Sequence, residues 1–122
     1  MAGGIYCGIT DDGTLKKIAY DKKGTTYTKH PNSNIPFEDV EVPGFTKSVK
    51  FCINHHKKLF RLTFISWDIA IGKDDNPRFI EMNLRRQSIY GHQIVNGPLF
   101  GKYTEDIIEK YKYEKEKEPI IY

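Results

Sequence analysis

Trp67-Asp68-Ile69-Ala70-Ile71-Gly72-Lys73-Asp74-Asp75-Asn76-Pro77-Arg78-Phe79-Ile80-Glu81-Met82-Asn83 carries two apolar segments, 62–71 and 78–84, around a turn-rich centre. Folded as an antiparallel hairpin across that turn, the segments set Asp68 opposite Glu81 and Ser66 opposite Asn83. On the other face Trp67 meets Met82, and Ile69 meets Ile80. Strand side chains alternate between faces, so one side of the hairpin is apolar and the other presents two carboxylates and a carboxamide.

Two facing carboxylates repel at neutral pH and need a proton, a cationic side chain or a metal between them. Oxygen donors from Asp68, Glu81 and Asn83 suit Mg²⁺, which takes one or two protein carboxylates and completes its shell with water and phosphate. The simpler alternative is a pair of solvated polar positions on an ordinary hairpin.

With 122 residues the chain is long enough for one domain around one core, residues 1–122. Hydrophobic residues make up 39% and aromatics 13%, a folded and not a disordered composition. The net charge is only +3, with Lys and Glu interspersed, so no basic block marks a nucleic-acid partner. Cys7 and Cys52 stand alone, without a CxxC pair or a Cys/His cluster, which points to reduced thiols and not zinc. No apolar run reaches the length of a membrane span, and Met1-Ala2-Gly3-Gly4 is not a secretory signal. The expected compartment is the cytoplasm.

Outward from the hairpin, residues 4–10, 15–21 and 25–29 read as a meander of three short strands, punctuated by Asp11-Asp12-Gly13 and Lys22-Lys23-Gly24. A loop follows at 30–36. Val42-Pro43-Gly44 opens a helix whose apolar side is Phe45, Val49, Cys52, Ile53 and His56. Residues 85–101 lack a period and read as a functional loop with one helical turn. Thr104 reads as the N-cap of a C-terminal helix, with Glu105 and Asp106 in its first turn. The charged end, 113–122, reads as a frayed tail. The predicted fold class is α+β: a mostly antiparallel sheet with one helix packed across it and a C-terminal helix.

Other motifs carry less. Residues 97–102, Gly-Pro-Leu-Phe-Gly-Lys, lack the spacing, the following Ser or Thr and the preceding strand of a phosphate loop. His55 and His56 are adjacent on a helix, point in different directions and cannot chelate together; His56 reads as a core-edge residue. His30 reads as structural. His92 lies in the glycine-bearing loop beyond the hairpin, where a surface role is the simpler reading. Cys7 has no evident base. Arg85, Arg86 and Gln87 directly follow the Glu-x-Asn set, and an Arg there suits orienting an oxyanion.

Trp67–Ile71 followed by Phe79–Asn83 resembles the C-terminal metal-binding hairpin of the ATP-grasp superfamily, an acidic residue on one strand and Glu-x-Asn on the next. Gly3-Gly4-Ile5, Asp12-Gly13-Thr14-Leu15, His30-Pro31 and Val42-Pro43 extend the likeness toward the sugar-transfer-associated group, over roughly residues 3–95. The resemblance implies Mg²⁺ held by Asp68, Glu81 and Asn83 between the phosphates of ATP. Phe79–Gln87 also resembles the biotin-carboxylase form of the motif, in which Arg and Gln position bicarbonate. Arg85 and Gln87 match those cofactor-binding positions, and Arg85 is the implied catalytic contact. Ile89 stands where that enzyme's general base belongs, so carboxylation is not expected.

The upstream ATP-grasp half, with its phosphate-binding lysines, is not recognisable here. The chain therefore resembles the C-terminal lobe of an ATP-dependent carboxylate–amine or carboxylate–thiol ligase, with nucleotide and an unknown carboxylate substrate as partners and weak or absent activity on its own. The alternative is a non-catalytic binding or interaction module that retains part of the fold.

Overall fold

Three short extended runs build the first layer of the computed structural model, which describes residues 4–85 and 87–117. Strands β1 (Ile5–Ile9), β2 (Leu15–Asp21) and β3 (Thr26–Tyr27) form an antiparallel sheet in the order β1-β2-β3. The first turn is tied by the Thr10 hydroxyl, which bonds the Asp12 carboxylate, and by Gly13 N–H donating to the Thr10 carbonyl at 3.0 Å. Gly13 takes φ +94°, open to glycine at little cost, and the Phe45 ring fills the space where its Cβ would stand. In the second turn the Asp21 carboxylate accepts the backbone N–H groups of Lys23 and Thr25 at 2.8 and 2.9 Å. The meander expectation holds, with a third strand shorter than predicted.

Helix α1 (Phe45–His56) begins where Val42-Pro43-Gly44 ends the preceding loop. Its Phe51 ring meets Trp67 edge-on, centroids 6.5 Å apart. The His56 ring, half-buried, sits with Nε2 at 2.7 Å from the Leu62 carbonyl, while His55 Nδ1 pairs with the Phe51 carbonyl of its own helix. The two imidazoles have separate partners, as their helical positions require.

The hairpin is a second, two-stranded antiparallel sheet, β4 (Ser66–Ile71) and β5 (Pro77–Asn83). The first strand was expected from residue 62. It starts later because Arg61, at φ +68°, reverses the chain after α1. Ser66 pairs with Asn83, Trp67 with Met82 and Asp68 with Glu81, as predicted. Beyond Asp68 the register slips by one, and Ile69 pairs with Phe79 instead of Ile80. This corrects the predicted Ile69–Ile80 pair. Ile80 is the extra residue of a β-bulge, so Phe79 turns to the Trp67 face, where its ring lies 6.1 Å from the indole. Ile80 is left 62% exposed.

Helix α2 (Tyr90–Asn96) lies against β1 and β2 in a stretch predicted as loop. A 3₁₀ turn (Gly101–Tyr103) leads into α3 (Thr104–Lys117). Thr104 is already helical, and its hydroxyl donates back to the Gly101 carbonyl at 2.7 Å. It is not an N-cap, because the 3₁₀ turn supplies the entry. Backbone helix continues through Lys117; the rest of the expected frayed tail, 118–122, lies outside the described residues.

The architecture is α+β, as expected, with its strands antiparallel and split into two small sheets instead of one. Among the described residues the buried apolar side chains are Ala19 and Phe37, and no helix is long and apolar enough to cross a membrane.

Candidate functional site

Asp68 and Glu81 are direct cross-strand partners, and their side chains leave the hairpin on the face opposite Trp67 and Met82. Residues so paired have Cβ atoms about 4.5–5.5 Å apart. Asn83, two positions on, shares that face and donates from Nδ2 to Glu81 Oε1 at 3.4 Å. All three side chains are exposed. The ion pairs among the described residues are Lys17–Glu38 and Arg78–Asp74, and neither involves Asp68 or Glu81.

Of the three ways to relieve a carboxylate pair, the side-chain cation does not occur among the described residues. The remaining donors are oxygens on rigid strands, open to solvent, which is the set a hard divalent ion prefers. No group of three His, Cys, Asp or Glu suited to a metal occurs among the described residues. An ion here would take two carboxylates and a carboxamide from the protein and the rest of its shell from water or phosphate, an arrangement Mg²⁺ accepts.

The hairpin is held in register at both ends. Gln87 donates from Nε2 to the Asn83 carbonyl at 2.7 Å and to the Phe64 carbonyl at 3.2 Å, joining the chain before β4 to the end of β5. Its amide nitrogen is committed to the backbone. Arg85, exposed just past β5, has no salt-bridge partner among the described residues, and Arg86 lies outside them. At the turn, the Asp74 carboxylate accepts from the Asn76 side chain at 2.9 Å and pairs with Arg78 at 2.9 Å. The Asn76 bond, then the Arg78 charge, holds Asp74 below the usual carboxylate range.

Asp68 also closes one end of a trough of about 560 Å³ between β1 and α2. Cys7, Ser88, His92 and Asn96 line it. The Cys7 Sγ donates to the Lys16 carbonyl at 3.2 Å, and burial pushes its thiol up, away from a nucleophilic thiolate. The sequence pointed to His92 near the hairpin but not to Asn96. A signal for both was present: Gly97, at φ +84°, ends α2 as glycine commonly ends a helix, and positions 92 and 96 are then one turn apart. The rejected phosphate-loop segment follows α2, not a strand, and enters the 3₁₀ turn.

No curated protein and no solved structure matches the chain. A family model described as sugar-transfer associated ATP-grasp matches residues 1–108. That span takes in both sheets, the Asp68–Glu81–Asn83 face and the trough beside it, and the chain therefore belongs to the sugar-transfer-associated ATP-grasp family.

Proposed function

We propose that this chain is the metal- and nucleotide-holding lobe of an ATP-dependent carboxylate–amine or carboxylate–thiol ligase serving sugar transfer or polysaccharide biosynthesis. The observation that carries the reading is the in-register pairing of Asp68 with Glu81, with Asn83 hydrogen-bonded to Glu81 on the same face. Asp68, Glu81 and Asn83 hold Mg²⁺. Bound there, the ion supplies positive charge at the transferring phosphoryl group of ATP.

Arg85 stands next to this face on a side chain free to reach a phosphate or acyl-phosphate oxygen, and its planar guanidinium suits bidentate contact. Gln87 keeps the Asn83 end of β5 in place and leaves its amide oxygen for a ligand. In the overall reaction a carboxylate oxygen bonds the terminal phosphorus of ATP as the P–O bond to ADP breaks, and ADP leaves with that electron pair. The acceptor's lone pair then forms a bond to the acyl carbon as the C–O bond to phosphate breaks, phosphate leaves with that electron pair, and the acceptor gives up a proton to solvent. The phosphate-binding lysines belong to the other half of the catalytic unit. The free thiols of Cys7 and Cys52 support a reducing compartment such as the cytoplasm.

Mn²⁺ titration followed by electron paramagnetic resonance, with and without ADP, tests the reading. The expected result is bound Mn²⁺ in the natural chain, an ADP-dependent gain in affinity, and loss of both in Glu81→Gln and Asp68→Asn with circular dichroism unchanged. A folded natural chain that binds neither Mn²⁺ nor ADP would leave the non-catalytic module as the better account.

A further inference from the structure

The trough beside Asp68 does more than end at the metal-holding face. A second stretch of about 520 Å³ continues it past Lys16 and Leu99, and the two stretches share Ile9, His92 and Asn96. His92 and Asn96 are four residues apart on α2, so their side chains stand on one helix face along the middle of the trough. Both are exposed. The floor is β1, where Tyr6 and Gly8 face α2, the Tyr6 ring lying beside Gly91. The depth is set by Gly8: a Cβ there would lie 2.6 Å from Asn96 Oδ1 and 2.8 Å from the Val95 carbonyl, so only glycine lets α2 settle this close.

We propose that this trough is the acceptor subsite and that it takes a small hydroxylated amine of the amino-sugar class, with His92 and Asn96 as its hydrogen-bonding residues. The inference rests on the ligase reading of Asp68, Glu81 and Asn83. Three observations support it. The nucleophile must reach the acyl phosphate beside the metal, and Asp68 is common to both places. Each stretch falls within the roughly 300–1,000 Å³ of small-molecule sites. The lining combines groups that both donate and accept, the His92 imidazole, the Asn96 carboxamide and the Ser88 hydroxyl, with the Tyr6 ring, which suits the hydroxyls and the C–H face of a sugar ring. Of the two acceptors that the ligase reading allows, amine and thiol, the hydrogen-bonding lining suits the amine, which both donates and accepts.

Glucosamine titrated into the ¹⁵N-labelled chain tests the assignment by amide chemical shifts. Ile9, His92, Val95 and Asn96 should move, and the response should be lost in His92→Ala and in Asn96→Ser, two variants so that a misfolded one does not end the test. Glu81→Gln should abolish Mn²⁺ binding and leave the glucosamine response in place. Amides of the trough that stay still in the natural chain, or that move equally in both trough variants, overturn the subsite. If Mn²⁺ binding survives such a result, the metal reading stands without it.

Discussion

Asp68 is the last residue of β4 to meet its partner, Glu81, in the predicted register; immediately beyond it Ile80 bulges out and the ladder slips. The bulge lets one hairpin keep both carboxylates on one face while turning Phe79 back toward Trp67 on the other. Like charges directly opposite on a ladder destabilise it, by roughly 0.2–1 kcal/mol. In EDTA, Glu81→Gln should therefore be as stable as the natural chain or slightly more so, within about 0.5 kcal/mol, as for most exposed substitutions. Excess Mg²⁺ should raise the stability of the natural chain alone, by about 2.7 kcal/mol at a hundredfold excess over Kd. Thermal melts of both proteins with and without Mg²⁺ check this, and an equal response in the two would contradict it.

Gln87 joins the chain before β4 to the end of β5 through the Phe64 and Asn83 carbonyls. Gln87→Ala removes both bonds from a partly exposed site, and a cost of about 1 kcal/mol is expected. Urea unfolding measures it. Amide exchange should quicken at Asn83 and Leu84 before it changes in β1, since the bonds act on the open end of the hairpin.

Gly8→Ala places a methyl group against Asn96, Val95 and the Lys16 side chain, two of those contacts being helix backbone or a residue fixed on it. The expected loss is about 1–3 kcal/mol, the range for overpacking a close contact. The α2 amides should shift together while those of β4 and β5 stay where they are. Unchanged α2 amides would show that the helix does not depend on this approach.

The turn carboxylate gives a pH prediction. Asp74 is held below its ordinary value of 3.8, first by the Asn76 side chain. A group depressed in the folded state contributes stability that is present above 3.8 and is lost as the pH falls through its folded value. Asn76→Ala should bring the Asp74 titration back up toward 3.8 and flatten the acid limb of the stability curve. Carbon-detected NMR titration of the carboxyl reads the first effect directly. Because Asp74 is exposed to solvent, the accompanying change in stability should be small.

Much of the candidate site was legible before any coordinates, because strand periodicity is local. Two apolar runs and the turn Gly72-Lys73-Asp74-Asp75-Asn76-Pro77 are enough to set Asp68 opposite Glu81 and Ser66 opposite Asn83. The bulge at Ile80 was not legible. It sets Phe79 beside Trp67, whose ring in turn meets Phe51 of α1, an arrangement that involves a distant element. Helix α2 was hidden for a related reason. Seven residues containing a glycine carry too little periodicity to announce a helix, and α2 is held by its contact with β1 across Gly8.

The amino-acid sequence by itself determined the α+β class, the meander, α1 and the sorting of the hairpin into an apolar and an oxygen-bearing face. Each follows from spacing, alternation and turn chemistry among near neighbours. Only the tertiary structure decided that Ile69 meets Phe79, that the strands divide into two sheets, and that His92 and Asn96 line the same trough as Asp68. Those relationships join residues far apart in the chain, and they depend on how closely packed elements approach, which no local pattern records.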